Sequence, residues 1–289
     1  MTPATKLRRR LEQPEVLVVP GAGSPLDVRL IEQQGFEAAY VSGYATAAQR
    51  FGLPDVGLIA YAEIEEMVRS TRAVSDLPLI VDCDTGYGGT ANVGHTIRRL
   101  EALGVAAIQI EDQVWPKRCG HMDGKIVESR ETSVRKVRAA VAARTSSDTM
   151  IVARTDARGP HGLDEALERC RLFKSAGADM LFVDGPESIE ELKRIAVELT
   201  GPIVANMSET GKTPLLPAHE LATMGYNVVL FPSSLARVNL RGSAEFLAEL
   251  AASGDSRSFL GRMASLDETN RAVGLEELRQ FDEMIAKEV

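Results

Sequence analysis

Eight short β-rich runs, each followed by a helical stretch, set the tightest limit on what this chain can fold into. They are VLVVP (16–20), AAYVSG (38–43), PLIVDCD (78–84), AAIQIED (106–112), MIVARTD (150–156), MLFVDG (180–185), PIVANM (202–207) and NVVLFP (227–232). Each is a nearly continuous apolar run, the pattern of a strand buried on both faces of a parallel sheet. Between them lie amphipathic segments such as VGHTIRRLEALG and LDEALERCRLFKSAG. Several close on a glycine (Gly35, Gly104, Gly177, Gly225), where a helix C-cap needs a left-handed residue. Eight strand–helix units predict an α/β fold, a (β/α)8 TIM barrel forming a single domain over residues 1–289. An open doubly wound sheet is the competing architecture, but no G-x-G-x-x-G follows the first strand. More than 50 residues, mostly helical, remain after the eighth strand, where a barrel needs one helix. The surplus predicts helices packed on a neighbouring subunit.

A net charge of −8 implies no basic surface for nucleic acid. The N-terminal KLRRR reads as the solvated end of a first helix. No apolar run approaches the roughly 18 residues of a membrane span, and the N-terminus has no signal-peptide core. Three cysteines, Cys83, Cys119 and Cys170, are too few and too scattered for a disulfide framework, so a reducing cytoplasm is the expected location.

In such a barrel the active site is built at the C-terminal ends of the strands. Here the strands end in Tyr40, Ser42 and Gly43; Asp82 and Asp84; Glu111 and Asp112; Arg154, Thr155 and Asp156; Asp184; Asn206; and Ser233 and Ser234. A purely structural barrel has no need of this ring, because buried carboxylates are costly unless paired or bound to metal. Asp82 and Asp84 are two apart on a strand, so alternation points both to one face and Cys83 to the other. With Glu111 on the next strand they make an oxygen-rich pocket of the kind a hard cation such as Mg2+ prefers. The competing reading is helix capping by Asp84 and a salt bridge for Asp82. No Cys/His set has zinc-ligand spacing, and His95, His161 and His219 read as surface residues. The glycines of DTGYGGTANV suit close approach of backbone to a ligand, and no Gly-Lys-Ser/Thr follows that would make a P-loop.

The segment WPKRCGHMDGK, within the connection 113–129, is long for a βα loop, and long ordered loops are often active-site lids. Lys117, Arg118 and His121 flank Cys119. Nearby cations favour thiolate, and a thiol there can act as nucleophile or proton carrier. Cys170 and Cys83 read as core.

KRCGH after a strand ending in IEDQ, with VDCDTGYG upstream and ARTDA and ANMSETGKTPL downstream, resembles the isocitrate lyase/phosphoenolpyruvate mutase superfamily over residues 5–285. The likeness is greatest to its short lyases of 2-methylisocitrate and 2,3-dimethylmalate type. The resemblance implies a barrel whose eighth helix is swapped with a neighbour, in a homotetramer built as a dimer of dimers. It implies Mg2+ or Mn2+ at Asp82 and Asp84, with Asp55 and Glu111 contributing, often through water. It implies a 2-oxo acid site made by Ser42, Gly43 and Arg154, with Asp184, Asn206, Ser208 and Arg237 around a second carboxylate fragment. Tyr40, Tyr44, Lys117 and a gating loop carrying Cys119, Gly120 and His121 complete the site, with Cys119, Tyr40, Arg154 and His121 in catalytic roles. The implied reaction is metal-dependent carbon–carbon cleavage of a di- or tricarboxylate, a 2-hydroxy acid of malate type, to a 2-oxo acid and a carboxylate.

Three positions depart from the resembling lyases. Asp184 stands where they usually carry glutamate. Leu266 stands where 2-methylisocitrate lyases carry an arginine, a charge that another arginine such as Arg262 could supply from a nearby turn, and Tyr44 stands where they have a second glycine. Together these favour a smaller or more apolar substrate, such as an alkylmalate. Mutase-type chemistry on carboxyphosphonoenolpyruvate or phosphoenolpyruvate, or oxaloacetate hydrolysis, is the alternative on the same scaffold. A silent, acid-binding barrel would not be expected to retain Asp82, Asp84, Glu111, Cys119 and Arg154.

Overall fold

Each of the eight apolar runs is a strand. In a computed structural model of the chain, which describes residues 1–120, 122 and 124–287, they close into one parallel barrel in sequence order. The strands are β1 (Leu17–Ala22), β2 (Ala39–Val41), β3 (Leu79–Asp82), β4 (Ala107–Glu111), β5 (Met150–Thr155), β6 (Met180–Val183), β7 (Ile203–Asn206) and β8 (Val228–Phe231). Closure is made by β1 on β8, from Leu17 opposite Val228 to Pro20 opposite Phe231. The helices are α1 (Pro3–Leu11), α2 (Pro25–Gln33), α3 (Gly43–Thr46), α4 (Tyr61–Arg72), α5 (Thr90–Ala102), α6 (Arg130–Ala143), α7 (Arg158–His161), α8 (Leu163–Ser175), α9 (Ile189–Glu198), α10 (Ala218–Met224), α11 (Ser234–Ser253), α12 (Leu266–Ala272) and α13 (Leu275–Ala286). The four glycines expected to close helices all take positive φ, between +77° and +112°.

The strand period of two divides the core into two layers. One row, including Val81, Cys83, Ile108, Ile151, Leu181 and Val229, packs outward beneath the helices. The other, including Leu17, Val19, Ile80, Val152, Phe182 and Leu230, fills the barrel as an apolar plug. Leu7 and Ala4 of α1 join that plug. Two of the arginines expected to be merely solvated instead hold this helix in place. Arg8 donates to Asp179 at 2.9 Å and to the Ser147 carbonyl, and Arg10 donates to Glu37 at 2.6 Å.

The C-terminal helices are built differently. Among the 20 residues of α11 only Ala236 is buried, and α13 buries none. Val238, Leu240, Leu247, Leu278 and Phe281 are each more than half exposed. Apolar residues on this scale are normally covered. Among the described residues no helix is long and apolar enough to cross a membrane.

Candidate active site

The inward row that forms the plug turns polar within one or two pleats of its top. Val152 is followed inward by Arg154, Phe182 by Asp184, Ile80 by Asp82, Val204 by Asn206 and Tyr40 by Ser42. The C-terminal mouth of the barrel is therefore a polar floor laid on an apolar plug.

One corner of this floor is acidic. Asp82 Oδ2 accepts from the Gly43 amide at 3.3 Å, and Asp82 Oδ1 accepts from Gln109 Nε2 and the Asp84 amide, each at 3.2 Å. Asp84 reaches the same place by a route that strand alternation does not explain. β3 ends at Asp82, and Asp84 takes φ +47°, a left-handed turn that brings its carboxylate back beside Asp82. A Cβ on Gly43 would stand 3.1 Å from Asp82 Oδ2 and 3.5 Å from Asp84 Oδ1, so the glycine lets backbone approach both acids. Helix capping by Asp84 is not observed, since Gly89 precedes α5. The salt bridge expected as the alternative for Asp82 falls to Asp84 instead, whose Oδ1 lies 3.0 Å from Lys117 Nζ, an ammonium also paired with Asp55. Lys117 was expected to flank the thiol and hold substrate. The structure commits it to these carboxylates.

Burial pushes the Asp84 carboxyl up to about 7, against the pull of Lys117 and with the push of Asp82 and Asp55. Burial likewise raises Glu111, and Arg154 only partly offsets it. Burial disfavours the Lys117 cation, but Asp84 and Asp55 outweigh this and hold its pKa well above the ordinary lysine range. Tyr40 is pushed up by burial and then by the Asp82 charge, so its phenol keeps its proton and serves as a donor.

The opposite corner centres on Arg154, whose guanidinium sits over the Phe182 ring at 5.2 Å. It binds Asp156 through both Nε (2.9 Å) and Nη2 (3.0 Å), and lies 3.3 Å from Glu111 and 3.1 Å from Asp184. Asp184 also accepts from Asn206 Nδ2 at 3.1 Å. Asp112, read at the rim with Glu111, instead faces the helix layer. There it accepts from Thr155 Oγ1 at 2.7 Å, the Asp156 amide at 2.9 Å and Arg169 at 3.0 Å, and so braces the end of β5.

The connection 113–129 closes over this floor. Gln113 and Val127 form an antiparallel bridge at its base, and the Gln113 side chain clamps the Arg118 backbone through both its amide atoms, at 2.8 and 3.0 Å. Cys119 and Gly120 then line the cavity at the barrel mouth. So do Tyr40, Ser42, Tyr44, Asp55, Asp82, Lys117, Arg154, Asp184, Asn206, Ser208 and Arg237. Gly43, Asp84 and Glu111 lie in or beneath the floor, and His121 lies outside the described residues. Leu266 is not brought to this mouth: it begins α12 and is 76% exposed. Cys83 and Cys170 are fully buried core residues, as expected.

Several functional neighbours were not singled out from the sequence. Phe182, Glu209 and Thr210 line the cavity, beside Ser233 of the strand-end ring. Arg237 is held by the Glu209 backbone and, at 2.9 Å, by Thr210 Oγ1. Lys125 and Asp156 form a buried pair at 2.9 Å. Asp156 was already read from the sequence at the end of β5, but its partner Lys125 was not. Nothing in the local pattern marks Glu209 or Lys125.

The floor fits a divalent cation in its chemistry. Six buried carboxylates (Asp55, Asp82, Asp84, Glu111, Asp156, Asp184) face three cations (Lys117, Lys125, Arg154) among the described residues. Glu111 Oε1 has no hydrogen-bond partner among them. The four expected metal residues do not, however, converge as a single ligand set, since no three His, Cys, Asp or Glu of the described residues do so. Lys117 stands among them. This suits Mg2+, which usually takes one or two carboxylates and completes its octahedron with water or substrate oxygens.

Comparison with known proteins agrees with this architecture. A sequence profile of the phosphoenolpyruvate phosphomutase family matches residues 7–251. The chain is 40% identical over 282 residues to 2,3-dimethylmalate lyase of Eubacterium barkeri, covering 98% of each protein. It is 40% identical over 285 residues to 2-methylisocitrate lyase of Aeropyrum pernix, covering 99% of this chain and 92% of that one. A crystal structure of 2,3-dimethylmalate lyase superposes with a TM-score of 0.93 at 36% identity, over 99% of this chain and 96% of that one. A closed eight-stranded barrel, a polar mouth with a cysteine-bearing loop over it, and near-full-length identity to two lyases place this chain in the phosphoenolpyruvate mutase/isocitrate lyase superfamily, among its carbon–carbon lyases.

Proposed function

We propose that the chain cleaves the C2–C3 bond of an alkyl-substituted malate in a Mg2+- or Mn2+-dependent reaction, giving a 2-oxo acid and a monocarboxylate. The observation that carries this reading is the excess of buried carboxylate over cation at Asp82, Asp84 and Glu111, beneath a loop that presents Cys119. A divalent ion held by Asp82 and Asp84, with Asp55 and Glu111 contributing through water, would acidify a chelated 2-hydroxyl and stabilise the oxygen of the forming 2-oxo acid. Ser42, Gly43 and Arg154 orient the inner carboxylate, and Tyr40 donates to it. The fragment that leaves as the bond breaks carries its charge toward Asn206, Ser208 and Arg237, which stabilise it electrostatically. Cys119 delivers the proton that fragment needs.

Cation count supports a dicarboxylate. Lys117, Arg154 and Arg237, the basic residues lining the cavity, are each already paired with a protein carboxylate. A third substrate carboxylate would find no further basic side chain among the described lining residues. A charge-assisted hydrogen bond is worth about 1.5–3 kcal/mol, so this shortfall corresponds to roughly a tenfold to hundredfold preference. In a coupled 2-oxo acid assay, 2,3-dimethylmalate or a similar alkylmalate is expected to show the higher kcat/KM, against 2-methylisocitrate and isocitrate. A preference for the tricarboxylates overturns this substrate assignment, and an absence of any malate cleavage overturns the lyase reading.

The bare apolar sides of α11 and α13 support assembly into a homotetramer, a dimer of dimers in which C-terminal helices pack on a neighbouring subunit. Light scattering at micromolar concentration is expected to give an oligomeric mass. A monomeric mass would count against it. Replacing Leu240 and Leu247 together by glutamate is expected to shift that mass downward, because like charges would be buried in the shared surface.

A further inference from the structure

Lys125 belongs to the connection between β4 and α6, yet its side chain is only 6% exposed. Its ammonium donates to the Gly120 carbonyl at 2.6 Å and to Asp156 Oδ1 at 2.9 Å, and lies 3.7 Å from Asp184 Oδ2. Gly120 is pressed against the same ion pairs. A Cβ there would stand 1.9 Å from Asp184 Oδ2 and 2.4 Å from Arg154 Nη2, so any side chain would have to displace this ion pair. Asp156 and Asp184 are wholly buried, and besides Lys125 the only cation paired with either, among the described residues, is Arg154. The loop thus brings its own countercharge to the floor. Lifting it would leave Asp156 and Asp184 to share one guanidinium with Glu111, and would release the carbonyl next to Cys119.

We propose that Lys125 is the positioning residue that latches the Cys119–Gly120 segment over the barrel mouth, by bridging the Gly120 carbonyl to Asp156. This rests on the lyase reading only in giving Cys119 its task there. The bridge is local to the loop and the end of β5, so the loop's position can be read without turnover. Cys83 and Cys170 are fully buried, which leaves Cys119 as the thiol a reagent can reach in the folded protein.

The test is the rate of Cys119 alkylation by iodoacetamide in the intact protein, assigned by peptide mass spectrometry. Loss of the charged bridge in Lys125→Met is expected to raise this rate about tenfold or more, the equilibrium worth of one charge-assisted hydrogen bond. Lys125→Arg, which keeps a cation, is expected to stay near the wild-type rate. In the coupled assay Lys125→Met is expected to lower kcat, because Cys119 is no longer held over the mouth. Alkylation of Lys125→Met at the wild-type rate overturns the latch, whatever the turnover. Faster alkylation in Lys125→Met, with a wild-type protein that cleaves no malate, keeps the latch and removes the lyase reading instead. Should Lys125→Met fail to fold, Lys125→Gln, which keeps a donor but no charge, carries the same comparison. Loss of the fold in both would assign Lys125 to the barrel's stability and overturn the proposal.

Discussion

Asp84→Ala is expected to lower kcat by at least about a thousandfold and to abolish Mg2+ binding, while leaving the barrel folded. The size follows from the several kcal/mol of charge stabilisation that a bound ion supplies, at 1.36 kcal/mol per tenfold in rate. The fold should survive, because Asp84 is a burial-disfavoured acid pushed up to about 7, and Lys117 keeps Asp55 as its partner once Asp84 is gone. Isothermal titration with Mg2+, thermal unfolding and the coupled 2-oxo acid assay check the three parts separately. EDTA should reproduce the loss of activity in the wild-type protein, and full turnover in EDTA would sink the metal assignment.

Cys119→Ala is expected to lower kcat about 10²- to 10⁴-fold, the usual worth of a positioned proton carrier, with KM little changed. The thiol lines the cavity from the loop, whereas the inner carboxylate of the substrate is assigned to residues of the floor. Removing it should therefore spare binding and stop the step that completes the departing fragment. A Cys119→Ala enzyme retaining more than about a tenth of wild-type kcat would remove Cys119 from proton transfer.

The barrel was legible because its strands are buried on both faces, and such strands announce themselves as unbroken apolar runs. The observed boundaries lie within two residues of those runs. The mouth was legible for a related reason: the polar residues that end most of the runs cannot be part of the core they interrupt. What the sequence did not reveal is pairing across distance. Asp55 and Lys117 are 62 residues apart, and Arg237 and Thr210 are 27 apart, so neither partnership leaves a local pattern. Lys117, two residues before Cys119, likewise pairs with Asp55 and Asp84, which lie far from it in sequence. Asp84 reached its expected place through a left-handed turn that no alternation rule foresees.

The change from apolar plug to polar floor within one inward row has a consequence for how such a protein can diversify. Cohesion resides in the lower pleats and reactivity in the upper ones, and the two are stacked along the same strands, meeting at Tyr40, Phe182 and Leu230, which belong to the plug and also line the cavity. A substitution at Ser42, Asp184 or Asn206 alters the chemistry on offer while the layer of Val152, Phe182 and Leu230 beneath keeps its shape. The scaffold behaves as a fixed handle with an exchangeable tool head. Natural variation should be able to retool the head in small steps without dismantling the handle.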